Sequence, residues 1–491
     1  MNNFKLRAAV AAVSGVLLLG INGIAKADSV DVLLMKLRDK GVLTQDEFDS
    51  FNSVRDSERE QGAKEKAVFN KGKINIGKFI DSATLYGDIR ARYEHRDGED
   101  TATGKNNSED RDRGRYKITV GVKTEANDFY TDLALAMGAR GRSDNATFGS
   151  GTGGENNKET LFVKRAMVGW DVTDWLKLEA GRMANPLYTT PMVYDGDLTF
   201  EGLNEQLNFK TGNTDLFLTL VQSQYTGDHK SYDPNGYSYN GSSKKDTINN
   251  FLLAFQGGAK FKITDDVSAK AALTYTTYTH DTGNTNGAFV PFMPVSGSRT
   301  DKNALNATSI NDVRTIEIPL ELNIKGSGTL NYSVFGDYAH NLDGSDRKNA
   351  ACSYITAHKA ALGATTADVT AVCNSGTDDN AWMLGVGIKS AQDKSPKQGD
   401  WNAKLWYQSV GMYSLDPNTP DSDFMDSRVN MKGVVLKGEY LVRDNVFLNV
   451  AAGHGDRKNS KLSAAGNTNT TDLDLNLDKF NLYQLDLTYK F

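Results

Sequence analysis

From Leu482 to Phe491 the side chains alternate without a break. Tyr483, Leu485, Leu487, Tyr489 and Phe491 fall on one face, and Gln484, Asp486, Thr488 and Lys490 on the other. Successive side chains of a strand point to opposite sides, so this segment predicts a strand with one apolar and one polar face. On its own such a strand could also end a soluble sandwich, and the rest of the chain has to decide.

The same pattern recurs. It predicts sixteen strands near 84–96, 112–125, 129–140, 162–172, 176–185, 199–210, 214–226, 251–263, 267–280, 313–326, 330–342, 379–391, 401–412, 428–442, 446–457 and 481–491, with ends uncertain by ~2–4 residues. The gaps carry the information. After even-numbered strands they are mostly very short, as in AND at 126–128, TDW at 173–175, TGN at 211–213 and RDN at 443–445; QDKSPKQGD at 392–400 is the exception. After odd-numbered strands they are mostly long and rich in Asp, Asn, Gly, Ser and Thr. Tight turns at one end and long loops at the other are the arrangement of a transmembrane barrel, and a sheet in lipid has to close because its edges cannot be left unpaired. The predicted class is therefore all-β: a transmembrane antiparallel barrel of about sixteen strands over 71–491.

Composition fits. No stretch past the leader approaches the ~18 apolar residues of a membrane helix, and a mean hydropathy of −0.49 is low. A barrel gives such a value, because only alternate strand residues face lipid. Within the strands, Tyr116, Ile118, Val120 and Val122 alternate with Arg115, Lys117, Thr119 and Lys123, and Leu133, Leu135 and Met137 with Asp132, Ala134 and Ala136. Trp175 and Trp401 fall beside short turns, where an interfacial aromatic girdle is expected.

The start of the chain predicts a secretory signal over 1–27. Lys5 and Arg7 precede an apolar run from Ala8 to Gly20, and Ala25-Lys26-Ala27 is a small-residue cleavage site. Removing Lys5, Arg7 and Lys26 from the 56 basic residues leaves 53 against 62 acidic ones, a net charge of −9. That balance argues against nucleic acid as a partner. Residues 28–70 predict a short helical segment on the periplasmic side: Val30, Leu33, Leu34 and Leu37 recur at helical spacing, Gly41 is a stop, and Thr44 with Glu47 forms a capping box ahead of Phe48 and Phe51. This segment could pack on itself, plug the barrel or oligomerise. Export exposes the two cysteines, Cys352 and Cys373, to an oxidising compartment, and a disulfide between them is expected.

Sixteen strands enclose a water-filled lumen, so function lies in what narrows it. Asp88, Arg90, Arg92, Glu94 and Arg96 share one face of the first strand, and Arg113, Arg115 and Lys117 one face of the second, which sets a basic wall inside. The segment NPLYTTPMVYDGDLTFEG at 185–202 differs from the other long gaps: it has aromatics, two prolines and the acids Asp195, Asp197 and Glu201.

FVKRAMVGWDVTDWLKLEAGRMANPLYTTPMVYDGDLTFEGLN at 162–204 resembles the putative porins of Gram-negative bacteria, with their "aGr–NP–vyD–dl–EG" run. QGDWNAKLWYQSVG at 398–411, DSDF at 421–424 and KGVLT at 40–44 resemble the same family. The resemblance implies an outer-membrane channel for passive diffusion of small hydrophilic solutes and ions, in contact with outer-membrane lipid and lipopolysaccharide. It implies handling by the barrel-assembly machinery, with Tyr489 and Phe491 as the assembly signal, and by analogy a homotrimer. In sixteen-stranded porins the loop after the fifth strand folds into the lumen. By that analogy Asp195 and Asp197, with Glu201, would face Arg90, Arg92, Arg113, Arg115 and Arg140 across the constriction. The direction of Arg182 is left open. The loops at 227–250, 281–312 and 343–378 look particular to this chain.

Catalytic motifs are absent, and His95, His229, His280, His340, His358 and His454 show no pair at metal-ligand spacing. Neither an enzyme nor a bound cofactor or metal is expected. Rival readings are an anion-selective, phosphate-like channel, a plugged barrel serving as adhesin or scaffold, and a sheath around an electron carrier.

Overall fold

A computed structural model describes residues 73–74, 80–100, 107–138, 143–149, 158–226, 250–279, 313–326, 328–360, 363–390, 396–425, 428–462 and 477–491. These belong to the compact unit Gly72–Phe491. The expected signal at 1–27, helical segment at 28–70 and loops at 227–249 and 280–312 lie outside the described residues.

Sixteen strands form the wall. They are β1 Ser82–Asp100, β2 Asn107–Ala126, β3 Phe129–Met137, β4 Leu161–Thr173, β5 Leu176–Ala184, β6 Thr199–Thr211, β7 Thr214–Thr226 and β8 Asn250–Lys262. After them come β9 Val267–Tyr278, β10 Arg314–Lys325, β11 Leu330–Asn341, β12 Asn380–Ser390, β13 Trp401–Val410, β14 Met431–Arg443, β15 Val446–Arg457 and β16 Leu477–Lys490. Each pairs antiparallel with the next, and β16 pairs with β1, so the sheet is closed. Two-residue pieces at Lys73–Ile74 and Ala146–Thr147 pair antiparallel alongside β1 and β2, respectively.

Two elements depart from the sequence reading. β1 and β2 stay paired out to Asp100↔Asn107, across residues expected to form a loop. Beyond Arg96 both faces are polar, so alternation vanishes while the ladder continues; hydrophobic period reports a one-sided environment rather than the strand itself. The 343–378 loop contains two helices, α1 Gly344–Ala357 and α2 Thr366–Cys373, joined by the Cys352–Cys373 disulfide. Thr365 and Asp368 form a reciprocal capping box at α2. α1 turns Ala351 and Ile355 into the interior.

Side chains sort by face. Ile89, Tyr93, Leu133, Val168, Leu384, Leu436 and Leu485 are exposed on the outside. Between them, Arg92, Glu94, Asp132, Asn204, Gln256, Glu317 and Asp486 point inward and are buried. The order is that of a soluble protein turned inside out. Tight turns use left-handed residues where a two-residue hairpin needs them, as at Asn127 (φ 52°), Gly212 (φ 57°) and Asn445 (φ 69°).

The seam between β16 and β1 is the most telling contact. Phe491 exchanges both backbone bonds with Gly87, at 2.9 and 3.0 Å. A Cβ on Gly87 would stand 2.6 Å from the Phe491 ring and 2.3 Å from the Thr119 carbonyl oxygen. The Phe491 ring lies 6.2 Å from that of Tyr489. Gly87→Val should therefore destabilise the closed barrel by roughly 1–3 kcal/mol. The measurement is the fraction of refolded protein whose gel mobility changes on boiling, which should fall well below that of the parent chain.

Candidate functional site: the narrowed lumen

One stretch of the inner wall, on β1 and β2, is rich in arginine. On β1 and β2 the inward register sets Arg92 opposite Arg115 and Glu94 opposite Arg113. So many cations at one level would repel, and Glu94 is placed to prevent it. Its carboxylate has no exposure and lies 2.6 Å from Arg113 Nε, 3.1 Å from Arg96 Nε and 3.6 Å from an Arg115 nitrogen. The Gln484 amide donates to it at 3.0 Å. Arg92 forks onto Asp486 of β16 through Nε (2.8 Å) and Nη2 (2.9 Å), the bidentate geometry that suits arginine. Arg90 lies 3.4 Å from the same Asp486 and donates to Asn145.

A β-bulge extends this wall. The β3–β4 register slips between Ala134↔Arg165 and Leu135↔Val163, which leaves Lys164 as the extra residue. The adjacent Lys164 and Arg165 consequently both reach the lumen side. Lys164 meets Asp144 and lies 3.8 Å from Asp197; Arg165 lies 2.9 Å from Asp132 and donates to the Tyr86 hydroxyl at 2.7 Å. Arg182 Nε donates to the displaced Lys164 carbonyl oxygen at 3.1 Å. Next to it Gly181, at φ +119°, leaves room for the Ala166 carbonyl oxygen that a Cβ would meet at 2.3 Å. The Ala-Gly-Arg of the family-like run thus holds a bulge.

Two loops cross the interior. The first, 185–198, lies along β8 to β11. Tyr188 and Gln256 exchange two bonds at 2.8 and 2.9 Å, Thr189 donates to Glu317, and Thr190 donates to Asp337 at 2.5 Å. Glu317 Oε2 and Asp337 Oδ1 are buried and receive no donor among the described residues. The second loop, 411–430, runs the other way. Asp416 accepts the Tyr225 and Tyr278 hydroxyls at 2.8 and 3.1 Å, and Asp423 receives Arg92 at 3.0 and 3.1 Å. The Phe424 ring occupies the space a Cβ on Gly453 would need. The loops join each other: Asp195 N donates to Thr419 O (2.7 Å), Asp421 N to Pro191 O (3.0 Å) and Ser422 N to Asp195 Oδ2 (3.0 Å). Met192, Met412, Tyr413, Leu415 and Met425 are buried around this junction.

The expected site residues therefore divide. Arg90, Arg92, Arg113 and Arg115 share one inner wall. Asp197 faces its Lys164 rather than an arginine. Asp195 sits in the junction between the loops. Glu201 points outward from β6 and pairs with Arg182, away from the lumen, because Phe200 and Asn204 hold the inward phase of that strand. Arg140 lies outside the described residues. The acid that does meet Arg92 is Asp423, from the loop that was read only as part of the family-like DSDF. Burial alone would raise its carboxyl, but Arg92, then Lys437, Arg96 and Arg90 outweigh burial and hold it well below the usual range. Lys164, Arg165 and Asp132 were also missed; Lys164-Arg165, two adjacent cations in an alternating strand, was the available signal of a bulge.

A family model described as "Putative porin" matches residues 58–476. The chain belongs to the putative porin family. A search of curated proteins returned no significant match. For this porin-family chain, the closed barrel and the inward 185–198 and 411–430 loops supply a wall and a narrowing. His95, Asp110 and Asp112 lie together on the outside of β1 and β2, where ligand-type atoms come within 4.8 Å of one another, and take no part in the lumen.

The threonine contacts hold the first loop against its wall. Thr189→Val and Thr190→Val each remove a donor from a buried carboxyl and should cost about 1–3 kcal/mol apiece. Urea unfolding of the refolded barrel should show the lowered midpoints, with Thr189→Ser and Thr190→Ser retaining most of the parent value.

Proposed function

We propose that the chain is an outer-membrane porin: a water-filled, non-enzymatic channel for passive diffusion of small hydrophilic solutes and ions. The observation that carries the reading is the inverted sorting of faces, apolar outside and charged inside, around a closed sixteen-stranded sheet. Sixteen strands leave a lumen wider than side chains can fill. Trp170, Trp175 and Trp401 at one end of the outer belt, and Tyr93, Trp382 and Tyr483 towards the other, fit two interfacial girdles.

The charge pattern supports a field across the constriction. On the β1, β2 and β4 side acids are set among the cations, with Glu94 shared by Arg96, Arg113 and Arg115. On the β5, β10 and β11 side Glu179, Glu317 and Asp337 are held by neutral donors, with Tyr130 on Glu179 at 2.6 Å and Thr189 and Thr190 on the others. Such a separation orients dipolar solutes and sets ion preference. An anion channel would be served by a basic ladder free of acids, whereas Glu94, Asp423 and Asp486 interrupt the arginines here. The plugged-scaffold reading has one observation in its favour, the buried apolar cluster around Met192 and Met412. It is opposed by the partly exposed Arg90, Arg165 and Asp197 along the remaining wall.

Planar-bilayer recording of the refolded chain tests the reading. Ohmic single-channel steps are expected, and a silent bilayer with correctly folded, inserted protein would sink it. Lys164→Gln with Arg165→Gln should shift reversal potentials in a salt gradient toward cations. A charge worth about 1 kcal/mol at a wet constriction corresponds to roughly five-fold in the permeability ratio per residue.

A further inference from the structure

Two carboxyls meet behind the 185–198 loop. Glu317 on β10 and Asp337 on β11 are 2% and 3% exposed and lie within hydrogen-bonding reach of each other. The register brings them together. Asp337 stands opposite Pro319, one inward position along from Glu317, so the two acids are diagonal neighbours on one face. Pro319 is buried beside them and has no N–H to give. No lysine, arginine or histidine pairs with either carboxyl among the described residues. Lys270, on the neighbouring β9, stands opposite Glu321 and holds its ammonium 3.8 Å from the centre of the Tyr188 ring instead. What does reach the pair comes from the loop. Thr189 donates to Glu317, and Thr190 to Asp337 at 2.5 Å. Each hydroxyl serves one oxygen, and Glu317 Oε2 and Asp337 Oδ1 are left buried without a donor. The Tyr194 hydroxyl nearby lies 3.4 Å from Thr276, and Asp416 of the second loop is met by Tyr225 and Tyr278.

Two like charges taken out of water together need a positive group between them, and hydroxyls do not supply one. We propose that Glu317 and Asp337, with the Thr189 and Thr190 hydroxyls, form a site for one calcium ion that clamps the 185–198 loop to the barrel wall. The donors are two carboxylates and two hydroxyls, with no nitrogen or sulfur among them. Such hard oxygens suit calcium, which takes about six to eight of them in a flexible arrangement. Magnesium demands a stricter octahedron and keeps much of its water, and zinc and copper favour imidazole or thiolate. A divalent ion cancels both charges, where one shared proton would leave the other. Half of the site belongs to the wall and half to the loop, so the ion ties the strands to what crosses the lumen. Local spacing gives no sign of it, because only the strand order brings positions 189, 190, 317 and 337 together. The site concerns how the loop is fastened and stands whether or not the barrel conducts.

The test uses the full refolded chain, stripped with EDTA. Titration calorimetry with calcium chloride should show one tightly held ion per chain, and calcium should raise the urea midpoint more than the same concentration of magnesium. Glu317→Gln with Asp337→Asn should weaken binding by about a hundred-fold or more and remove the calcium-dependent part of the midpoint, while the boiling-dependent gel mobility stays. Asp110→Asn with Asp112→Asn changes the exposed acids beside His95 on the outer face and should leave both readings as in the parent. Terbium, which occupies calcium sites, needs no variant: emission sensitised by Tyr188 and Tyr194 should appear on the parent chain and fade as calcium is added. A parent chain that takes up no calcium, or a double variant that still responds to it, would overturn the proposal. So would urea midpoints that follow pH but not calcium, the mark of a proton held between the carboxyls. If the double variant does not fold, terbium decides alone, and emission that is absent or is not displaced by calcium overturns the site.

Discussion

Everything in this structure depends on a strand edge that is not left open. A sheet presents a row of unpaired N–H and C=O groups at each margin. Here β16 and β1 consume both rows, from Leu477↔Asp100 to Lys490↔Asp88. The same register brings Asp486 beside Arg92 and Thr488 beside Arg90. Backbone closure and lumen electrostatics are thus one arrangement: the alternation that puts Tyr483 to Tyr489 outside puts Gln484 and Asp486 onto the arginine wall.

That wall is dense in charge, with acids set among its cations. Burying an arginine is costly unless its donors are met. Arg92 meets Asp486 and Asp423, and Glu94 touches Arg96, Arg113 and Arg115. The opposite side follows another rule, with Glu179, Asp337 and Asp416 held by hydroxyls and amides. The two sides of the lumen thus differ in kind, with guanidinium–carboxylate pairs on one and carboxyls met by hydroxyls and amides on the other. The two inward loops belong to this division: 185–198 is fastened to the acidic side, and 411–430 bridges from Asp416 to the basic side at Asp423.

The strands were legible because a barrel wall imposes period two wherever one face is apolar. Their number, order and turns followed from alternation and gap length, and the pairing of Phe491's strand with Arg90 and Arg92 followed from closure. What alternation could not report was anything held by contacts far apart in the chain. Asp423 meets Arg92 across 331 residues, and no local pattern marks that acid out from Asp195 or Asp197. The helices α1 and α2 were hidden for another reason: α1 carries no clear apolar stripe, and it is tied in place by the disulfide and by Ala351 and Ile355 packing inward. Glu201 was misplaced by reading 185–202 as one loop, when Thr199 already begins β6 and strand phase decides the side.

The bulge at Lys164 has a consequence for how the chain can change. Before it, Leu161 and Val163 face outward on odd numbers; after it, Val168 and Trp170 face outward on even ones. One added residue works as a phase shifter. It lets a single strand keep its oily side oily while two neighbouring cations share the wet side. Losing it would not simply subtract a lysine. It would set the two halves of β4 out of step, so the position acts as a frame marker, and Gly181 and Arg182 on the next strand are the punctuation that keeps it.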